Sequence, residues 1–370
     1  MTSPMTLPSS VPGSDDTLSV RFLAQGEQRA QDVAGWLAAF IAGARQSLDI
    51  AVYDMRLSAP LQAIIAAALR ERADAGVAIR IAYDADKPEA PALTRGQDPA
   101  PAGTGAFVQA LGYPARRIGG MKLMHHKYLV RDGALPEACV WTGSTNLTDD
   151  AWDLEENNIL QLASPVLAQA YARDFQELWD AGDLGESGAH DGATTTLIYT
   201  GQPCSVRLMF SPGSGEEIDA LVARSVAQAE RRIRICSMLL NSGALIGALR
   251  DVLRDGRVPV DGIYDRTQML GVFEQWQEVP HNHWKIGAIQ HIIQAARLVG
   301  KNSTPYSPTS KHDFMHMKAL VIDDLVITGS YNFSRSAELN AENILFLQSH
   351  ALAARYSQYI DHLKEKYGAR

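Results

Sequence analysis

The stretch Phe314–Phe333 carries five polar residues whose types could together hold an oxyanion: His316, Lys318, Asp323, Ser330 and Asn332. An imidazole, an ammonium, a hydroxyl and an amide gathered at one point suit a phosphate. His316 and Lys318 are two apart, so on a strand they share a face. Ala319–Ile322 is apolar and β-branched, as in a buried strand. Asp323-Asp324 reads as a turn, and Leu325–Thr328 as the returning strand. Such a hairpin would bring Ser330 and Asn332 back beside His316 and Lys318.

The same set occurs earlier in the chain. His125, Lys127 and Asp132 have the spacing of His316, Lys318 and Asp323, and Gly143-Ser144-Thr145-Asn146 matches Gly329-Ser330-Tyr331-Asn332. Each copy continues to an acidic residue and an asparagine, Glu156-Asn157 and Glu342-Asn343. Counted from the motif asparagine, the two glutamates stand at equal distance (156 − 146 = 10; 342 − 332 = 10).

The elements that must position these residues are duplicated too, as a search for internal repeats shows. Ser19-Val-Arg-Phe22 recurs as Ser205-Val-Arg-Leu208, an offset of 186 (205 − 19 = 186), and the two motif asparagines keep it (332 − 146 = 186). Each half reads strand, helix, strand, helix, strand, then hairpin and a final helix. Alternating βα units predict an α/β fold with a mostly parallel sheet and helices outside. The expected divisions are a disordered tail over 1–18, a first half over 19–185, a linker over 186–204 and a second half over 205–370. Asp84 and Asp265 end parallel strands, where site residues often sit; capping or loop hydrogen bonding is the plainer reading. His126 follows His125 on the opposite strand face and reads as packing. His281, His283 and Trp284 suit either a substrate entrance or an ordinary surface loop.

Composition bounds the rest. A chain of 370 residues with 46% hydrophobic and 21% charged residues reads as soluble and globular, long enough for two domains. No apolar run approaches a membrane span, and residues 1–16 have neither the basic start nor the apolar core of a secretory signal, so a cytoplasmic location is expected. Cys139, Cys204 and Cys236 have no paired spacing and suggest neither disulfides nor zinc. A net charge of −8 argues against a surface built for duplex DNA, without excluding a local basic groove.

The paired His-x-Lys-x4-Asp and Gly-Ser-x-Asn motifs resemble those of the phospholipase D superfamily, over roughly residues 19–370. The resemblance implies two similar α/β/α halves related by a pseudo-twofold axis, with one active site at their junction and a monomer as the catalytic unit. It implies a phosphodiester hydrolase or transferase in which one histidine attacks phosphorus to give a phosphohistidine and the other protonates the leaving oxygen. His125 is favoured as the nucleophile, with His316 left open. Lys127, Lys318, Ser144, Asn146, Ser330 and Asn332 would hold the nonbridging oxygens. Glu156 and Glu342 would orient the histidines, each serving the other half, and Asp132 and Asp323 would have supporting, partly structural parts. No metal or cofactor is expected. Three substrate readings stand: a phospholipid, which the acidic charge favours and which is compatible with peripheral membrane contact; DNA or RNA; or no catalysis, on a binding module. The context of the second motif, with Asn340-Ala-Glu-Asn343, resembles a branch shared by small bacterial endonucleases and mitochondrial cardiolipin hydrolase.

Overall fold

The structure, a computed structural model, describes residues 15–84, 103–185, 187–189, 192–307 and 309–368. The expected N-terminal tail falls almost wholly outside the described residues, and ordered chain is already in a strand at Leu18–Leu23. Two large sheets form the frame. The first runs, edge to edge, Leu18–Leu23, Asn157–Ala163, Cys139–Gly143, Lys127–Arg131, Ser47–Val52, Ala78–Asp84, Ala115–Ile118. The second repeats that order with Gln202–Ser211, Glu342–Gln348, Leu325–Gly329, Lys318–Ile322, Ile233–Ser237, Val260–Asp265 and Val299–Lys301.

Two expectations need correction. Only the βα portions are parallel, as where Ser47–Val52 pairs Ala78–Asp84; the motif strand Lys127–Arg131 is antiparallel to both its neighbours. The sequence pattern detects βα units, but the hairpin connections that begin at Asp132 and Asp323, too short for a crossover, force antiparallel pairing in the site-bearing part. The supposed linker is also structured. Ala193–Tyr199 pairs antiparallel with Gln202–Ser211 and adds an edge strand that the first sheet lacks. Its Thr-rich alternation has a strand period, which the glycines around it mask.

Apolar residues sort into three layers. One cluster, with Phe40, Leu61 and Trp141, fills the outer face of the first sheet; another, with Ile235, Leu249 and Phe346, fills that of the second. The third lies between the sheets and draws on both halves, joining Tyr128, Leu160 and Phe175 to Leu345, Leu352 and Tyr356. Here the helices Pro165–Ala181 and His350–Gly368 bury one face each. Ser164 caps the first of them, its hydroxyl accepting from Leu167 N, ahead of a proline in the opening turn.

The inner layer also carries a reciprocal polar lock. Asn343 Oδ1 accepts from Thr142 Oγ1 and Tyr171 OH, each at 3.1 Å. Asn158 Nδ2 donates to Thr328 Oγ1 at 2.8 Å and Tyr356 OH at 2.7 Å. Each asparagine reaches a threonine and a tyrosine of the other half. Buried and satisfied, such bonds fix register where apolar packing alone would permit sliding.

Candidate active site

His125 and His316 line one cleft of about 600 Å³ between the halves. Each histidine sits just before an inner strand and is anchored by an aspartate at the end of a parallel strand. Asp84 Oδ1 accepts from Met124 N at 2.7 Å, and Asp265 Oδ2 from Met315 N at 2.9 Å. The plainer reading of these two aspartates is therefore the observed one: they hold the backbone that presents each histidine.

Lys127 and Lys318 stand behind the imidazoles. Lys127 Nζ donates to His125 O at 2.7 Å and lies 4.9 Å from the Tyr53 ring centre; Lys318 Nζ donates to His316 O. Burial lowers Lys127 to about 8 and takes Lys318 well below its ordinary value. Burial, then the two lysines, depresses both histidines well below 6.5. A bound phosphodiester anion would reverse that trend by opposing the lysine charges. Asn146 and Asn332 also line the cleft, and the Oδ1 of each is buried without a hydrogen-bond partner among the described residues. These amides can turn a donor toward a nonbridging oxygen.

The motif serines have another occupation. Ser144 Oγ donates to Asn157 Oδ1 at 2.7 Å and accepts from Asn158 N at 3.0 Å. Ser330 Oγ accepts from Asn343 N at 3.0 Å and bonds to the Glu342 side chain. Wholly buried, both hydroxyls fasten the strand behind the histidines, so their expected place on the phosphate is not where the structure puts them. The preceding glycines permit the close approach of the two strands. Gly143 and Gly329 have φ of 142° and 151°, and a Cβ on either would come within 2.3 Å of a carbonyl oxygen, Asn158 O or Asn343 O.

Asp132 and Asp323 lie outside the cleft lining. Asp132 accepts backbone N–H bonds from Arg45, Gln46 and Ser47; Asp323 does so from Glu230, Arg231 and Arg232. Both have positive φ at the hairpin turn. Their part is structural: they tie the hairpin to the start of a neighbouring strand.

Glu342 and Glu156 part company. Glu342 Oε2 lies 2.8 Å from His125 Nδ1, across the junction as expected. Burial raises Glu342 to about 7, opposed chiefly by Lys127. Glu156 instead pairs with Lys301 Nζ at 2.5 Å and accepts from Tyr367 OH. The reason is register. Ile159 pairs Gly143 and Ile344 pairs Gly329, so Asn157, not Glu156, occupies the place of Glu342. Asn157 Oδ1 accordingly meets His316 Nδ1 at 3.1 Å, and Glu155 Oε2 stands 3.4 Å from the same nitrogen. Burial raises Glu155 to about 8. Sequence spacing missed both residues, although Asn158-Ile159-Leu160 against Asn343-Ile344-Leu345 was the usable signal.

His126 is fully buried, 3.1 Å from Asp174, and packs in the inner layer as expected. His281, His283 and Trp284 do not line the cleft; they belong to a short turn and the helix His283–Ala295.

A family model described as a phospholipase D-like domain of cardiolipin synthase matches residues 37–179 and again 222–364. The chain belongs to the phospholipase D superfamily. The two matched segments are the two halves described above. Mitochondrial cardiolipin hydrolase of Xenopus laevis is 29% identical over 141 residues, covering 38% of this chain and 58% of the relative. That of Chlamydomonas reinhardtii is 30% identical over 141 residues, covering 38% and 55%. The chain therefore spans little more than half the length of these relatives. In fold it resembles phosphatidylserine synthase of Haemophilus influenzae, with TM-score 0.64 and 14% identity over 93% of this chain and 86% of that one. The phospholipase D halves thus account for the pseudo-symmetric strand order and for the cleft that both histidines line.

Proposed function

We propose that the protein is a phosphodiesterase of phospholipids, acting through a covalent phosphohistidine. The observation that carries the reading is the make-up of the cleft. Two histidines and two asparagines, whose Oδ1 atoms have no hydrogen-bond partner among the described residues, line one space that would fit a single phosphodiester. Around them the described lining holds four carboxylates, Asp54, Glu155, Glu274 and Glu278, and no lysine or arginine. A nucleic-acid track needs cations for successive phosphates. This cleft suits one phosphate flanked by uncharged or cationic groups, as in a zwitterionic lipid. The exposed side chains Met121, Leu270 and Leu339 add support, since each lies one or two positions along the chain from a lining residue, Leu123, Gly271 or Asn340. Exposed apolar side chains close to the cleft would suit a substrate drawn from a bilayer. The phospholipid-related names of the matched relatives agree with this.

The nuclease remains the second reading, because the chemistry at phosphorus is common to both. One purified preparation assayed on phosphatidylcholine vesicles and on single-stranded oligonucleotide separates them. Release of head group, with phosphatidylethanol formed when ethanol is added, is expected; cleavage of the oligonucleotide alone would replace the lipid reading. Activity should persist in excess EDTA, since Lys127 and Lys318 supply the positive charge. Loss restored by one divalent ion would overturn that point.

A further inference from the structure

Two equivalent positions in the cleft carry different side chains. Tyr53 follows the strand Ser47–Val52, and Met238 follows Ile233–Ser237. Each donates its backbone N–H to the residue after a motif histidine: Tyr53 N to His126 O at 2.8 Å, Met238 N to Met317 O at 3.1 Å. Both line the cleft. The backbone therefore sets them in matching places, and only the side chains differ. The Tyr53 ring meets the His125 ring at 4.6 Å between centres, the planes 64° apart, and Lys127 Nζ lies 4.9 Å from its centre. Among the described residues Lys318 makes no contact of that kind. Met238 offers a thioether, which has no π face.

Both lysines are buried, and two ammonium groups in one buried site repel each other. Glu342, Glu155, Asp54 and Asp84 favour the ammonium of Lys127; Lys318 and His125 oppose it when protonated. Those carboxylates are partly spent. Asp54 accepts from Arg56 Nε at 2.7 Å, and Asp84 from Met124 N at 2.7 Å. Burial raises Glu342 to about 7 and Glu155 to about 8, so neither carries full charge near neutral pH. An aromatic face attracts a cation without needing a charge of its own, and the attraction strengthens where water is excluded. Resting on the phosphodiesterase reading for its meaning, we infer that Tyr53 is a positioning residue: its ring seats Lys127 beside His125 and keeps it an ammonium, so that Lys127, not Lys318, is the resident cation that meets an incoming phosphodiester. The lysines agree with this. Burial lowers Lys127 to about 8, whereas burial and then the neighbouring Lys127 take Lys318 well below its ordinary value.

Isotopic labelling of lysine side chains lets each be titrated by NMR in the full chain, with Lys127→Arg and Lys318→Arg assigning the signals. In the wild type Lys127 is expected to lose its proton at higher pH than Lys318. Tyr53→Met, which copies the second half, should bring the Lys127 midpoint down by about one pH unit, the scale of a desolvated cation–π contact. Tyr53→Phe keeps the π face and should hold the midpoint where it is. A trifluorinated phenylalanine at the same position keeps the ring's shape but withdraws charge from its face, and an intermediate fall is expected; that variant also serves should Tyr53→Met fail to fold. In assays, the loss of kcat/KM in Tyr53→Met should grow with pH to about tenfold and shrink on the acid side, whereas a purely structural part for the ring would cost the same at every pH. An unmoved Lys127 midpoint in Tyr53→Met or in the fluorinated variant, or Lys318 titrating above Lys127 in the wild type, would overturn the assignment. The titration needs no substrate. Wild-type protein inert on phosphatidylcholine vesicles and on oligonucleotide would therefore reject the phosphodiesterase reading, while the titration still decides what Tyr53 does.

Discussion

The strands Asn157–Ala163 and Glu342–Gln348 hold the same place in their sheets, yet the first begins with an amide and the second with a carboxylate. Everything that fixes the strand is shared: the glycine with positive φ, the serine behind it, the asparagine crossing to a threonine and a tyrosine of the other half. What faces the opposite histidine is not: Glu342 alone meets His125, whereas Asn157 and Glu155 both face His316. Duplication preserved the scaffold, where a change costs packing and buried hydrogen bonds, and let the two supports diverge. The comparison also explains Glu156. Displaced from the site by one position of register, it serves in a buried ion pair between the halves.

The sharpest way to break this comparison is to remove each histidine. His125→Ala and His316→Ala should each lower turnover by about 10³-fold or more while the fold survives, since both side chains border a cleft. Circular dichroism beside vesicle assays checks this. Near-normal turnover in either variant would end the two-histidine scheme. After acid quenching, covalent phosphate is expected on His125 and not on His316.

The glutamates should differ in kind. Glu342→Gln is expected to lose about 10²-fold in kcat with modest change in stability. Glu156→Gln leaves Lys301 buried without its counter-charge and should cost about 3 kcal/mol, read by denaturant melts. Turnover per folded molecule should stay within a few-fold of wild type. A catalytic collapse in Glu156→Gln without loss of stability would restore the expectation drawn from spacing.

A smaller effect concerns pH. In the free enzyme Glu342 must be ionised and Lys127 protonated. Glu342 is raised to about 7, so kcat/KM climbs as pH rises through that value. Lys127 is lowered to about 8, so kcat/KM falls beyond it. The expected profile is a narrow bell between the two. Lys127→Arg, which keeps its charge, should extend the alkaline limb; a profile unchanged in that variant would remove Lys127 from the assignment.

The smallest effect lies at Met121. Met121→Glu should reduce activity on zwitterionic vesicles several-fold and leave cleavage of a monomeric short-chain substrate near wild type. Equal rates on vesicles would mean that this side chain does not meet lipid.

Much of this site was legible in the sequence because duplication states it twice. His125, Lys127, Asn146 and their counterparts needed only the strand period and the repeat offset. What was hidden depends on register. Between Asn146 and Ile159 the first half has one residue more than the second has between Asn332 and Ile344, and only pairing to Gly143 and Gly329 locates the extra residue. Asp132 and Asp323 were harder for another reason: a carboxylate that caps backbone and one that assists catalysis look alike in a motif. The edge strand Ala193–Tyr199 was obscured by the glycines around it.

The helix His350–Gly368 has a consequence in time. Tyr359 donates to Leu23 O, Lys366 to Gln25 O and Tyr367 to Glu156, all in the first half. On a ribosome, the strand Leu18–Leu23 emerges more than three hundred residues ahead of the helix that covers it. Until then the inner layer of the first half, Glu156 included, has no lid, and the nascent chain presents an unfinished apolar face. Assembly of the cleft therefore waits for this helix, and a chain stalled before it would be a sticky half-molecule with an incomplete cleft.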